Sequence, residues 1–68
     1  MAVARVTEVV ASSSKDFEDA MRTGLARAAK TLRGITGLEV VRMQAKVENN
    51  KITEFRVHMN MTFVLEDK

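Results

Sequence analysis

The chain has 68 residues, a formal net charge of +2, 46% hydrophobic and 29% charged residues, one His and no Cys or Trp. That excludes disulfides, thiolate metal sites and a multi-His metal site within one copy, and leaves at most one small domain, residues 1–68, with a thin core. Chains this short commonly recover stability from staples or from assembly, and here assembly is the remedy left open.

The N-terminal stretch Met1–Val10 carries Arg5 and Glu8 and lacks the apolar core and cleavage site of a secretory signal. No apolar run approaches the roughly 20 residues of a membrane span, so a cytoplasmic address is expected. Acidic and basic residues are interspersed, without a Lys/Arg block or stacking Trp and Tyr, which argues against a nucleic-acid module.

Residues 3–10 are rich in β-branched side chains and predict a first strand. Ser13, with Ser14 as a competing cap, is expected to open a helix, placing Asp16 against its free amides. Phe17, Met21, Leu25, Ala28 and Leu32 recur at helical spacing, widened by Ala20, Gly24 and Ala29. Gly34 then reads as the C-cap. Gly24 inside this stripe costs about 1 kcal/mol against Ala, which points to close packing.

A second strand is expected over Leu38–Val47, with Val41, Met43, Ala45 and Val47 on one parity and Arg42, Gln44 and Lys46 on the other. In the third strand Phe55, Val57, Met59, Met61, Phe63 and Leu65 alternate with Arg56, His58, Asn60 and Thr62. A two-residue Asn49–Asn50 loop would pair Val47 with Ile52 and set the apolar parities of the two strands against each other. A three-residue loop, Glu48 to Asn50 with Asn50 left-handed, pairs Val47 with Lys51 and Met43 with Phe55 and reconciles them. That register is the expectation. It sets Arg42 across from Arg56 and Val40 across from His58, and two opposed arginines invite an anion or an acidic partner.

Length argues for assembly too. Two long strands reach roughly 35–50 Å at about 3.3 Å per residue, whereas a helix of about 20 residues spans about 30 Å. A closed oligomer would cover the excess sheet and its edges.

Enzymatic signatures are missing. The three glycines form no phosphate loop, and the three serines cap a helix while His58 stands mid-strand, so no Ser-His-Asp set forms. The chain reads as a non-enzyme. Met21, Met43, Met59 and Met61 all fall on apolar parities and read as core. The Glu66–Asp67 pair offers oxygens to a hard cation, and Glu8, Glu39, Glu54 or Glu66 repeated about a symmetry axis would do the same for calcium or magnesium.

Short motifs sharpen the picture. Val9-Val10 before the serines, Phe17-Glu18-Asp19-Ala20, Ala28-Ala29-Lys30-Thr31-Leu32-Arg33, Glu39-Val40, Glu48-Asn49-Asn50-Lys51-Ile52 and Thr62-Phe63-Val64-Leu65 together resemble the dodecin family over nearly the whole chain. The resemblance implies an α+β fold, β-α-β-β, with a three-stranded antiparallel sheet wrapped on one helix and assembling into a hollow homododecamer. It also implies a small flavin ligand such as FMN or riboflavin. In that family a Trp near the start of strand two stacks on the isoalloxazine ring and a Gln in strand three bonds its polar edge. Gly37 and Arg56 occupy those positions here. Arg56, Arg42, His58, Gly37 and Gln44 are therefore the expected ligand residues, and a phosphorylated or other anionic ligand suits the arginines better than a neutral ring. A cage with calcium or magnesium at its subunit junctions, or a structural protein-interaction module, are the other readings.

Overall fold

A computed structural model describes residues 3–65; the Glu66–Asp67 pair lies outside the described residues. Four elements follow in order: β1 (Val3–Ser13), α1 (Phe17–Ala28), β2 (Ile35–Glu48) and β3 (Lys51–Leu65). The sheet order is β1-β3-β2, with both pairings antiparallel. β3 is thus the central strand, and its alternation sets one parity in the core: Val57, Met59 and Met61 are fully buried and Phe63 nearly so. Burying side chains of this size stabilises the fold by about 1.5–3 kcal/mol each.

The helix packs small residues onto that row. Ala20, Gly24 and Ala28, spaced four apart, form its buried line, flanked by partly buried Phe17 and Met21. A Cβ on Gly24 would stand 2.7 Å from Met59 Cε and 2.9 Å from Ala11 Cβ, so the closeness anticipated from the glycine is present. Leu25, placed in the stripe by its spacing, is 39% exposed instead; contact this close leaves only the narrowest face buried. Phe17 meets Phe55 edge-on, with ring centroids 5.1 Å apart.

Both expected helix ends move. Asp16, not Ser13 or Ser14, is the N-cap, its carboxylate accepting the Asp19 N–H at 2.7 Å. Ser13 closes β1 and donates to Asp19 Oδ2 at 2.6 Å while accepting the Lys15 N–H. At the other end the helix stops at Ala28, so it has 12 residues rather than about 20. Tightened bonds follow, Lys30 N–H to Arg27 O and Thr31 N–H to Ala28 O, and carry Leu32 onto the core as part of a turn. Gly34 is not the cap; at φ +75° it is a loop residue whose carbonyl accepts the Val64 N–H at 3.1 Å. A helix of 12 residues is about 18 Å long, against a longest molecular dimension of 54 Å. The β2–β3 hairpin beyond Ala45 and Phe55 therefore stands clear of it, with Val47 and Ile52 more than half exposed.

The hairpin register is a correction. The loop has two residues: Glu48 pairs with Lys51 and Val47 with Ile52. Asn49 and Asn50 both have positive φ, 53° and 62°, as a type I′ turn requires. The parity conflict that argued against this loop is real, and a bulge removes it. Val47–Ile52 is followed by Lys46–Glu54, leaving Thr53 as an extra residue on β3. Two more shifts leave Val41 and Thr36 as extra residues on β2. The second strand also begins earlier than expected, at Ile35.

Candidate ligand face

Because side chains alternate, the face of the sheet turned away from α1 is built from the even positions of β3. Four rungs cross it, read from the pairings of the three strands: Ser12–Arg56–Gln44, Val10–His58–Arg42, Glu8–Asn60–Glu39 and Val6–Thr62–Gly37. All five sequence-predicted ligand residues, Arg56, Arg42, His58, Gly37 and Gln44, thus share one face. The extra residue Val41 makes this possible on β2. Without it, Gly37 and Glu39 would point with Met43 toward the helix side.

Their juxtaposition differs from the expected one. Arg42 faces His58 rather than Arg56, and Val40 faces Met59 rather than His58. Arg56 faces Gln44. The like-charge opposition anticipated from the three-residue loop is avoided, and the two arginines stand diagonally on adjoining rungs, about 7–8 Å apart by usual sheet geometry. His58 Nε2 lies 2.8 Å from Gln44 Oε1, tying the two rungs together. Gly37 is two rungs away from Arg42 and belongs to the far end of the face.

Charge divides along the face. Toward the hairpin stand Arg42, Arg56 and Lys46; Arg56 pairs with Glu54 at 3.3 Å and Lys46 with Glu48 at 3.8 Å. Arg42 takes no ion pair among the described residues. Glu8 and Glu39 flank Asn60 on the next rung. No group of three His, Cys, Asp or Glu residues that could hold a metal ion is present among the described residues. The site residue that sequence reasoning overlooked is Ser12, because only the register of β1 sets it against Arg56. Glu54, expected only as a carboxylate for a cation, instead pairs with Arg56 two residues on along the same strand.

The face also lacks an aromatic plane. Phe17 and Phe55 stack on the helix side, and Phe63 belongs to the buried row. A shallow hollow of about 300 Å³ lies over Gln44, Lys46, Glu54 and Arg56. What this part of the face offers is hydrogen-bond donors and positive charge in a fixed row.

The family model for dodecins matches residues 3–66. The chain belongs to the dodecin family. It is 32% identical over 65 residues to the dodecin of Thermus thermophilus, an alignment covering 96% of this chain and 94% of the relative. A crystal structure of a Thermus thermophilus protein superposes with a TM-score of 0.94 at 31% identity, covering all of both chains. Dodecin from Streptomyces davaonensis gives a TM-score of 0.91 at 30% identity, covering 97% of each chain. Another matching structure, with a TM-score of 0.92 at 31% identity over 98% of this chain and all of that one, is a Trp-to-Phe variant of the Thermus thermophilus dodecin. The present chain has no Trp at all. At the level of the family, the chain is one of a group of small flavin-binding cage proteins. No helix of the described residues is long and apolar enough to cross a membrane.

Proposed function

We propose that the chain forms a non-enzymatic, dodecin-like homododecameric cage that binds or stores a small anionic ligand on the sheet face opposite its helix. The observation that carries this reading is the pair of adjoining rungs Arg42–His58 and Gln44–Arg56. Arg42 and Arg56 supply charge, Gln44 and His58 supply directed hydrogen bonds, and Gly37 leaves room at the far end. Assembly is supported by two unpaired sheet edges, β1 and β2, and by exposed apolar side chains at Val6, Val10, Val47 and Ile52. The family suggests flavin. The missing aromatic plane removes stacking worth about 0.5–1.5 kcal/mol per site, so a phosphorylated flavin such as FMN fits better than riboflavin. A cytoplasmic address accompanies this reading.

The test is native mass and ligand binding on one purified sample. The expected mass is about twelve times the 7.6 kDa of the chain. FMN should bind on the order of tenfold tighter than riboflavin, the effect of one charge-assisted hydrogen bond. Arg56→Gln should erase that preference. Equal binding of both flavins, or a monomer at micromolar concentration, overturns the reading.

A second reading, calcium or magnesium at junctions between copies, is favoured by the Glu8–Asn60–Glu39 rung, which lines up side-chain oxygens from all three strands. It requires that a chelator lower the melting temperature of the assembly, and an unchanged melting temperature ends it.

A further inference from the structure

We propose that His58 makes the ligand face proton-linked: protonation of its imidazole recruits a tetrahedral oxyanion of the sulfate or phosphate type beside Arg42 and Arg56, and deprotonation weakens its hold. The inference rests on the ligand face proposed above and adds a control to it.

The hydrogen bond to Gln44 is the starting point. With Gln44 presenting its amide oxygen at 2.8 Å, the imidazole hydrogen sits on Nε2. A neutral ring then keeps a bare lone pair on Nδ1, which repels an oxyanion. The next proton can go only to Nδ1. That one event turns an acceptor into a donor and adds a positive charge to a row that already holds two. Gln44, its oxygen engaged by His58, keeps both amide hydrogens for a ligand beside Arg56.

The surroundings of His58 decide where the anion would sit. Directly across on β2 stands Arg42, and two residues back on β3 stands Arg56, itself tied to Glu54. Val10 of β1 faces His58 from the other side and is uncharged, as is Ser12 on the rung of Arg56. Glu8 on β1 and Glu39 on β2 lie one rung further along, about Asn60. The helix packs on the opposite face and brings no charge to this one. Glu8 and Glu39 thus bar an anion from the Asn60 side of His58. Toward the hairpin Arg42 offers a charge unpaired among the described residues, while Arg56 shares its own with Glu54. An anion therefore meets favourable charge only toward Arg42 and Arg56.

Sulfate is the probe, because it keeps its charge across the working range while phosphate esters titrate near pH 6. Isothermal titration of the native assembly at about pH 5.5 and pH 8, at fixed ionic strength, should show sulfate bound on the order of fivefold tighter in acid, the scale of one added charge-assisted bond at an exposed site. Sulfate binding should be accompanied by proton uptake, read from buffers of different ionisation enthalpy. His58→Gln should bind sulfate weakly with a flat pH profile. A pH-independent wild type, or a His58→Gln variant that keeps the dependence, overturns the proton link. If that pH-independent binding is still lost in Arg42→Gln/Arg56→Gln, the ligand face survives without its switch. Absence of sulfate binding at both pH values removes the switch and the anion face together.

Discussion

Between β1 and β3, eleven residue pairs run from Val3–Leu65 to Ser13–Phe55 without interruption. Between β2 and β3 the ladder shifts register at three places. The difference follows from where each strand keeps its apolar residues. Val9 and Ala11 of β1, the residues it packs against the core, fall on one parity, so an unbroken ladder serves it. β2 packs Leu38 and Val40 from even positions and Ile35 from an odd one; Met43, expected in the core, shares the odd parity but is 49% exposed. A strict two-residue period would turn one set to the ligand face. The extra residues Thr36 and Val41 reset the period where the parity changes, and Thr53 does the same between Ile52 and Phe55 on β3. The regular ladder anchors the helix. The irregular one aims the ligand residues.

Breaking the irregular ladder should have the largest effect. Deleting Val41 forces Leu38 and Val40, both packed against the core, to the outer face and turns Glu39 toward the helix side. The loss of two apolar contacts and the burial of a carboxylate should cost on the order of 4 kcal/mol. Val41→Ala keeps the bulge and trims a side chain that is 55% exposed, so its cost should stay within about 0.5 kcal/mol. Urea unfolding of the two variants side by side checks this. Similar stabilities would show that the bulge does not govern the facing of β2.

The regular ladder is tested through the helix that sits on it. Gly24→Ala places a methyl 2.7 Å from Met59 Cε and 2.9 Å from Ala11 Cβ. Met59 can swing its end away, but Ala11 is fixed by its pairing with Val57. Overpacking of this kind costs about 1–3 kcal/mol, and the better helix propensity of Ala returns about 1 kcal/mol. A net loss of about 1 kcal/mol in urea unfolding is expected, with the ligand face unaffected. A gain would mean that the helix stands further from β1 than the structure places it.

Element types and the fold class were legible because each rests on a period: alternation in β3, three-four spacing in α1. The ligand residues were legible as a set for the same reason, since their parity on each strand decides their face. Their pairing was not. It depends on bulges, and a bulge is visible only when a switch of apolar parity, such as Val40 to Met43, is read as a signal rather than as noise. The helix ends were hidden by a competition between neighbours. Ser13, Ser14 and Asp16 can all cap, and Asp16 prevails while Ser13 is held by Asp19 and the Lys15 amide.

The smallest effect separates the two hairpin registers most cleanly. In a three-residue loop spanning Glu48 to Asn50, only Asn50 is left-handed and Asn49 keeps negative φ. Glycine at position 49 would then merely loosen the unfolded chain, costing about 0.5–1 kcal/mol. In the observed two-residue loop Asn49 itself has φ 53°, a conformation that glycine adopts without strain, and relief of that strain offsets the added chain entropy. Asn49→Gly should therefore be neutral or stabilising by about 0.5 kcal/mol in urea unfolding. Destabilisation would restore the longer loop, return Arg42 to its place opposite Arg56, and separate His58 from Arg42 on the ligand face.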